Sequence, residues 1–388
     1  MNHPFRSFSI NLGAITHPGD QQREQDELQD LLRQENWPDA ALAAQKLTQR
    51  APGSAFAWKA LGLSLHRQGK LDEALQPMQQ AVKLNPQDPE ALNNLGALLS
   101  EGEHQQHAEA CFRRALQLRG DHIAALENLI TMLGRQGRHD DVRPLLQHYL
   151  SLRPDNEYVR HQLAMLSGEQ TDAAPAGYVR QVFDEYADRF DDHLLGKLGY
   201  RTPEHLARWL FAEAPSDSAW RVLDLGCGTG LVGQHIHERC DELIGVDLSG
   251  RMLEKARERG GYTRLDQADV LTQMQQEATH HFDVIVSADV FVYIGKLDDL
   301  MPEARRILKP GGLMAFSVES MDSSHVQPTA EDIQRGHRLD STGRYSHTQD
   351  HLLELASTHG FSVVRQEEVK LREENHRPVI GQLHLWRC

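Results

Sequence analysis

Cysteine is scarce in this chain, and its spacing excludes two classes of small stabilised domain. The cysteines number four, Cys111, Cys227, Cys240 and Cys388, and no two form a C-x-x-C pair. This pattern fits neither a disulfide framework nor a zinc site. Also missing are an apolar run of about 18 residues and the apolar centre of a signal peptide. We therefore expect a soluble cytoplasmic protein.

Basic residues are fewer than acidic residues, which restricts the classes of binding partner that the protein can have. Lysine and arginine total 41 against 56 aspartate and glutamate residues, so the formal charge is −15. A protein that binds nucleic acid or anionic lipid as its main partner needs a basic face, so neither is expected. The 22 histidines do not indicate a metal site, because pairs such as His235 and His237 are two apart on a predicted helix.

The first 156 residues contain a repeat of 34 residues. Blocks 21–54, 55–88, 89–122 and 123–156 place similar residues at equal positions, and this pattern resembles the tetratricopeptide repeat, a helix–turn–helix unit. Shared positions hold Leu61, Leu95 and Leu129; Gly62 and Gly96; Ala40, Ala74, Ala108 and Val142; Pro52, Pro86 and Pro154. We predict an α-solenoid over 21–170, closed by a capping helix, with residues 1–20 as a mobile leader.

The residues at the inward-facing fifth position of the repeats do not identify a ligand. It carries Lys59, Asn93 and Glu127, which mix positive, neutral and negative groups. These residues fit a peptide-binding groove and equally fit a solvated scaffold. Self-association into a homo-oligomer is a further use of such repeats.

A different pattern follows the small, polar segment SGEQTDAAPAG (167–177). We take 171–177 as the linker and 178–388 as a second domain. From Trp220 onward, strand-length apolar runs alternate with helical stretches, which predicts a mostly parallel sheet covered by helices. The last two strands lack a crossover helix between them, so the final strand should run antiparallel.

The glycine-rich loop after the first strand of this domain could bind either of two ligands, a dinucleotide or S-adenosylmethionine. GTGLVG (228–233) fits the G-x-G-x-x-G of dinucleotide-binding folds, and Asp247 follows at a suitable distance. However, the first turn glycine is Gly226, two residues too early for that fingerprint. Asp224 at the strand end would repel a pyrophosphate and attract a cationic ligand such as S-adenosylmethionine.

Residues 220–319 resemble the class I S-adenosylmethionine-dependent methyltransferases, through VLDLGCGTG, GVDLS, QADV and LKPGG in that order. Together with the repeats, the chain resembles a bacterial family of repeat-containing methyltransferases. The resemblance implies a Rossmann-like seven-stranded sheet and S-adenosylmethionine as cofactor. The implied cofactor contacts are Asp224, Gly226, Cys227, Gly228, Gly230, Asp247 for the ribose, Leu248, Met252, Asp269 for the adenine amine, Val270, Ser287 and Tyr186.

Some of these residues have a second interpretation. Met252 fits an adenine contact or a core position. Cys227 fits a small residue in a tight turn better than a nucleophile. Phe183, Tyr186 and Phe190 share one face of a helix within 178–195, which either packs on the sheet or forms a lid over the cofactor.

Methyl transfer from a sulfonium needs a base only when the nucleophile arrives protonated, so catalytic residues leave little signal. Candidate bases are Tyr293 and, in the segment 336–349 that we expect at the substrate rim, His337, Tyr345 and His347. The predicted function is methyl transfer to an O, N or S nucleophile on a protein, peptide or protein-tethered acceptor recruited by the repeats. The alternatives are a small-molecule methyltransferase and a non-catalytic adaptor that senses the cofactor.

Overall fold

The computed structural model describes residues 18–102, 104–214, 219–324, 326–374 and 377–388. The chain divides into two compact units, Met1–Leu152 and Arg153–Cys388. The leader expected for residues 1–20 lies outside the described residues up to residue 17, and residues 18–20 belong to the first helix. Among the helices described, none is long and apolar enough to cross a membrane.

The first unit is helical throughout its described part. Its helices are α1 (Pro18–Arg33), α2 (Trp37–Arg50), α3 (Ala55–Arg67), α4 (Leu71–Leu84), α5 (Pro89–Ser100), α6 (Gln105–Leu118), α7 (Ile123–Arg135) and α8 (His139–Leu152). Ser54 and Asp88 begin α3 and α5 by accepting hydrogen bonds from backbone N–H groups of the first turn. The helix–turn–helix repeat predicted from the 34-residue period is confirmed.

Small residues set the distance between neighbouring helices of this unit. Ala40, Ala74 and Ala108, which share one repeat position, are fully buried. Gly96 on α5 faces Phe112 on α6 so closely that an added Cβ would lie 2.7 Å from the ring. The repeated small residues are therefore needed for helix packing, which explains why they mark the period so clearly.

Replacing Gly96 by alanine should destabilise the first unit by about 1–3 kcal/mol, because the added Cβ would overlap the buried Phe112 ring. Gly134 on α7 is a matched control, since nothing lies within 4 Å of its added Cβ. Gly134→Ala should stabilise by about 0.5–1 kcal/mol through helix propensity alone. Urea denaturation followed by helical circular dichroism measures both; equal effects of the two changes would contradict this packing.

The second unit combines helices with one sheet. Its helices are α9 (Glu157–Ser167), α10 (Ala176–Tyr186), α11 (Thr202–Glu213), α12 (Leu231–Ile236), α13 (Gly250–Arg259), α14 (Val270–Gln276), α15 (Leu300–Ile307), α16 (Ala330–Arg335) and α17 (Gln349–Thr358). Its strands are β1 (Trp220–Leu225), β2 (Cys240–Asp247), β3 (Arg264–Gln267), β4 (Phe282–Ser287), β5 (Leu308–Ser320), β6 (His337–Leu339), β7 (Tyr345–His347), β8 (Ser362–Glu374) and β9 (Arg377–Arg387).

The sheet has parallel strands in the order β3-β2-β1-β4-β5, extended by β9 and β8. The last strand, β9, runs antiparallel to both β5 and β8, as the sequence predicted. Apolar side chains of β1, β4 and β5 are buried on both faces, which explains their continuous hydrophobic runs.

The described sheet contains nine strands, two more than the seven expected. The additional pair, β6 and β7, forms a hairpin in the segment that we expected to be a loop at the substrate rim. Each of these strands has three residues, too few to leave an alternating pattern in the sequence.

The helix α9 was predicted as the cap of the repeats, but the structure groups it with the sheet unit. Its His161 ring packs on the ring of Tyr178 at 4.5 Å, and His161 Nε2 lies 3.4 Å from the carbonyl oxygen of Gly343. These contacts lead us to propose the domain boundary at Leu152–Arg153, ahead of the linker predicted at 171–177.

Candidate functional site

A cavity of about 540 Å³ opens at the carboxyl ends of the parallel strands in the second unit. Each of β1, β2, β3 and β4 is followed by cavity-lining residues, which come from the loops that leave the sheet at this edge. These residues are Gly226, Gly228, Asp247, Leu248, Asp269, Val270, Ala288, Asp289 and Val290. This edge is where open α/β sheets bind their ligands.

The glycine loop after β1 uses backbone conformations that residues other than glycine seldom adopt. Gly226 and Gly228 have φ values of +66° and +55°. A Cβ at Gly226 would lie 2.2 Å from Val290, so the loop after β4 sits directly against it. The glycines therefore let two loops meet at the cavity wall and leave backbone atoms exposed to a ligand.

Asp247, at the end of β2, lies beside this loop. Its Oδ2 accepts a hydrogen bond from the Gly228 N–H (2.9 Å), and its Oδ1 accepts one from the Ser249 N–H (2.8 Å). Burial raises the pKa of Asp247 to about 6, although these two N–H groups oppose the shift. Each oxygen keeps a lone pair for a ligand hydroxyl.

Asp269 lines the cavity one strand further along the sheet. Its Oδ1 begins α14 by accepting hydrogen bonds from the N–H groups of Leu271 (3.0 Å) and Thr272 (3.1 Å). This fixes the side chain, and its second oxygen has no hydrogen-bond partner among the described residues. Asp269 and Asp247 can thus accept hydrogen bonds from two separate parts of one ligand.

Five of the predicted cofactor contacts do not line the cavity. Gly230 has φ +87° at the start of α12, and Cys227 is buried beneath the glycine loop. Met252 is fully buried on α13, which favours the core interpretation. The Ser287 hydroxyl donates to the Leu225 carbonyl (3.3 Å). The fifth, Asp224, has a hydrogen-bond partner of its own.

Asp224 is not among the residues that line the cavity, and its side chain is bound to Tyr262 instead. It is 1% exposed, and its Oδ2 accepts a hydrogen bond from the Tyr262 hydroxyl (2.6 Å). Its Oδ1 has no hydrogen-bond partner among the described residues. Burial raises the pKa of Asp224 to about 7, because no cation compensates the carboxylate.

The raised pKa of Asp224 makes the free energy of unfolding depend on pH. Between pH 4 and pH 7 the folded chain keeps a proton that the unfolded chain releases, so stability falls as pH rises through this window. Relative to wild type, Asp224→Asn should gain about 2–3 kcal/mol of stability between pH 5 and pH 8, since only the part of the shift above pH 5 falls in this range. Urea denaturation of both proteins at pH 5 and pH 8 measures this gain. A difference in the free energy of unfolding between variant and wild type that is the same at both pH values would contradict the prediction.

The candidate bases predicted around β6 and β7 are not at the cavity. His337, Tyr345 and His347 are all buried and none of them lines it. His347 Nε2 lies 3.1 and 3.0 Å from the carbonyl oxygens of Ile294 and Gly295, and burial lowers its pKa to about 3. The prediction of His347 as a catalytic residue therefore has no support in the geometry, because the ring binds backbone carbonyls.

Tyr293 does line the cavity, following β4 in a short 3-10 turn. Its ring packs edge-to-face on Phe183 with centroids 5.5 Å apart. Burial raises the pKa of Tyr293, so its hydroxyl stays protonated near neutral pH. Tyr293 can shape the cavity or donate a hydrogen bond, but it is a poor proton acceptor.

The segment from α10 to the π-helical turn Asp192–Lys197 forms one wall of the cavity, and we name residues 176–197 the lid segment. Its Phe183, Tyr186 and Phe190 line the cavity, as the lid hypothesis requires. The Tyr186 hydroxyl is hydrogen-bonded to Nδ1 of His193, another lining residue. This wall is largely apolar, which suits the exclusion of water.

Acidic residues of the lid segment bind it to the sheet's own loops and helices. Asp184 accepts a hydrogen bond from the Ser249 hydroxyl (2.6 Å), and Asp191 accepts one from the Thr229 hydroxyl (2.6 Å). Asp188 lies 3.6 Å from the Lys255 ammonium. Because Ser249 follows Asp247 and Thr229 belongs to the glycine loop, the lid segment is tied to the elements that line the cavity.

Sequence reasoning missed a cluster of ionised side chains at the polar end of the cavity. Arg372 on β8 contacts Asp289 (3.2 Å), Glu374 (2.7 Å) and Glu319. Arg344, between β6 and β7, contacts Glu319 at 2.8 Å and Glu374. Only Arg344 lay in a segment predicted to form the substrate rim. The other members come from the turn after β4, from β5 and from β8, which the pairing of β5 with β9 and of β9 with β8 brings together.

A metal site does not emerge from the described residues. No group of three or more histidine, cysteine, aspartate or glutamate side chains among them stands close enough to hold a metal ion. Three of the acidic lining residues are separated along the sheet edge, Asp247 at the end of β2, Asp269 after β3 and Asp289 after β4, and the fourth, Glu374, lies on β8. The arrangement suits an extended organic ligand with several hydrogen-bond donors.

Comparison with known families agrees with the division into repeats and sheet. Residues 222–312 match the family model described as a methyltransferase domain. Residues 26–89 and 78–127 match two models described as tetratricopeptide repeats. The matched segment of the second unit begins in β1 and ends in β5, so it contains the glycine loop, Asp247, Asp269 and Asp289.

Individual relatives are similar over part of their length. A malonyl-[acyl-carrier protein] O-methyltransferase of Enterobacter lignolyticus is 33% identical over 114 residues, which are 29% of this chain and 45% of that protein. A trans-aconitate 2-methyltransferase of Variovorax paradoxus is 31% identical over 125 residues, 32% of this chain and 46% of the relative. The chain thus spans about half the length of the curated relatives it matches.

One solved structure is similar to part of this chain. The S-adenosylmethionine-dependent methyltransferase from Mesorhizobium loti is 23% identical, with a TM-score of 0.38. The matched region covers 48% of this chain and 100% of that protein.

Proposed function

Since the chain carries a methyltransferase domain after tetratricopeptide repeats, we propose that it transfers a methyl group from S-adenosylmethionine to an oxygen, nitrogen or sulfur nucleophile. One observation carries the proposal. Asp247 is held at the end of β2 by the Gly228 N–H of the glycine loop, and its remaining lone pairs border the cavity. A ribose diol supplies the two donors that such a carboxylate can accept.

The residues at the cavity fit this cofactor. Asp247 would hold the ribose hydroxyls, the second oxygen of Asp269 would accept from the adenine amine, and the glycine loop leaves space for the methionine part. The lining includes four carboxylates and two arginines that are already paired, so an anionic pyrophosphate such as that of NAD is disfavoured.

The cofactor, when bound, supplies a methyl group already activated by its positive sulfonium. The protein's remaining tasks are to align the acceptor and to keep water out. Phe183, Tyr186 and Phe190 of the lid segment cover the cavity, and Tyr293 supports Phe183 from the opposite wall. Their apolar surfaces keep a nucleophilic water from competing with the acceptor.

For the acceptor, we propose a protein or a protein-tethered group that the repeats recruit. The tetratricopeptide matches at residues 26–127 support a protein-binding role, and one relative is named for a carrier-protein acceptor. A small-molecule acceptor is the second candidate, because another relative is named for methylation of trans-aconitate.

A labelled methyl-transfer experiment tests both the catalytic function and the class of acceptor. The full-length chain is incubated with S-adenosylmethionine carrying a tritiated methyl group and an extract of the source cells. We expect label in the macromolecular fraction. Label found only in the small-molecule fraction would replace the first acceptor class by the second, and no transfer to any fraction would contradict the catalytic function.

A further inference from the structure

Asp289 occupies an unusual position at the carboxyl end of β4. Its φ is +57°, in the left-handed region that residues other than glycine seldom adopt. Such a conformation is strained, and it persists where surrounding contacts enforce it, commonly at functional sites. Here the turn directs Asp289 into the cavity lining.

The carboxylate of Asp289 is held rigidly. The Ser317 hydroxyl donates to Oδ1 (2.6 Å) and itself accepts from the Asp289 N–H (2.8 Å), while Arg372 Nη1 donates to Oδ2 (3.2 Å). The next residue, Val290, packs against Gly226 of the glycine loop. Asp289 is therefore adjacent to the loop that would hold the cofactor's methionine part.

Burial raises the pKa of the Asp289 carboxyl, despite the opposing effects of Arg372 and the Ser317 hydroxyl. A raised carboxyl pKa brings the group closer to neutral pH, where proton transfer is more effective. Tyr293 stays protonated and His347 lies off the cavity, whereas the Asp289 carboxylate lines the cavity and each of its oxygens keeps a lone pair that can accept a proton.

The charges at the cavity limit the acceptor. The lining contains Arg344 and Arg372 against the four carboxylates of Asp247, Asp269, Asp289 and Glu374. Both guanidinium groups are already bound to fixed carboxylates of the chain. An acceptor that carries a carboxylate would add negative charge to a cavity with an acidic excess and would have to displace one of these internal partners.

We propose that Asp289 binds the N–H or O–H group of an uncharged or cationic acceptor, an amine or an alcohol, and takes its proton during transfer. This inference rests on the proposed methyltransferase function. The acceptor gives one proton to the Asp289 carboxylate, and the freed lone pair forms the new bond to the methyl carbon. The carbon–sulfur bond breaks, and its electron pair stays on sulfur, which becomes a neutral thioether.

The first test measures binding to the full-length chain at pH 8, by calorimetry in the presence of saturating S-adenosylhomocysteine. The probes are hexylamine and hexanoate, which share an apolar chain and differ in head-group charge. We expect hexylamine to bind at least tenfold more tightly. Asp289→Asn should reduce hexylamine affinity at least tenfold and change S-adenosylhomocysteine affinity less than twofold. Equal affinities for the two probes, including no binding of either, would contradict the proposal.

Asp283→Asn is the matched control for the variant. Asp283 lies at the other end of the same strand, where it pairs with Lys309 at 2.7 Å, outside the cavity lining. Asp289→Asn should lower kcat/KM for methyl transfer about 10²–10⁴-fold, the range for loss of a general base, whereas Asp283→Asn should leave it unchanged. Equal activity of Asp289→Asn and wild type would overturn the role of Asp289.

A second test uses wild type alone and does not depend on the folding of a variant. Product labelled in the cell extract is treated with mild alkali, which releases methanol from carboxyl methyl esters and leaves methyl ethers and methylamines intact. We expect alkali-stable label; alkali-labile label would show a carboxylate acceptor and overturn the inference. Failure of the proposed function has a different signature, namely no binding of S-adenosylhomocysteine by wild type.

Discussion

Replacing Asp247 by alanine should weaken the binding of S-adenosylhomocysteine at least about 100-fold. Two hydrogen bonds from ribose hydroxyls to a charged carboxylate contribute about 1.5–3 kcal/mol each, and every 1.4 kcal/mol is a factor of ten in affinity. The variant also loses the acceptor that holds the Gly228 N–H, so the glycine loop loses a contact on the cavity wall. Calorimetric titration of both proteins measures the change.

Asp241→Ala is the control for this variant, because Asp241 lies near the beginning of the same strand and is exposed. It should bind S-adenosylhomocysteine as wild type does. Thermal unfolding of the two variants checks that the fold is retained. If Asp247→Ala bound within a few-fold of wild type, the ligand would have to sit elsewhere in the cavity, and the assignment of the ribose site would be wrong.

Replacing Arg372 by glutamine should lower the free energy of unfolding by about 3–5 kcal/mol at pH 8. Arg372 is 5% exposed and contacts three carboxylates, Asp289, Glu319 and Glu374. Removing one partner of a buried ion cluster leaves uncompensated charge, which is the costly case for buried ion pairs. Chemical denaturation of the full-length chain measures the loss.

The loss should shrink as pH falls, which distinguishes charge from packing. In wild type, Arg344 and Arg372 hold the pKa of Glu374 below its usual value although burial opposes this. That carboxylate therefore contributes stability above about pH 4.5, and the contribution is lost as pH falls. Without Arg372 the pKa values of the clustered carboxyl groups rise. Protonation of these groups near pH 5 then removes part of the uncompensated negative charge and reduces the loss of stability in the variant.

Lys370→Gln is the control on the same strand. Lys370 is about half exposed and pairs only with Glu373 among the described residues, at 3.3 Å. An exposed pair of this kind contributes at most about 1 kcal/mol. Equal losses for Arg372→Gln and Lys370→Gln, or a loss for Arg372→Gln that is the same at pH 5 and pH 8, would contradict the electrostatic role of the cluster.

The parts of the fold that follow from local rules were predictable from the sequence. The repeats were predictable because helix packing requires small residues at Ala40, Ala74 and Ala108, and these recur in the sequence every 34 residues. The parallel sheet was too, because strands buried on both faces are continuous apolar runs. The same holds for the cavity edge, because Gly226 and Gly228 lie in the loop just after β1 and Asp247 is the last residue of β2.

What the sequence did not reveal depends on contacts between distant segments. Asp224 has the same residue type and strand-end position as Asp247, yet its side chain points to Tyr262 rather than to the cavity. Arg344, Arg372 and Glu374 meet only after β5, β7, β8 and β9 have paired, and no local pattern records that meeting. Asp289 was not predicted, because the residue type does not reveal that its backbone adopts a left-handed conformation.

The most direct test of the central claim is a calorimetric titration of the full-length chain with S-adenosylhomocysteine, with NAD titrated in parallel. Asp247, Asp269 and the glycine loop border one cavity in the described structure, so the predicted result is one S-adenosylhomocysteine site per chain and no heat from NAD. Binding of NAD with that stoichiometry, without binding of S-adenosylhomocysteine, would contradict the methyltransferase assignment.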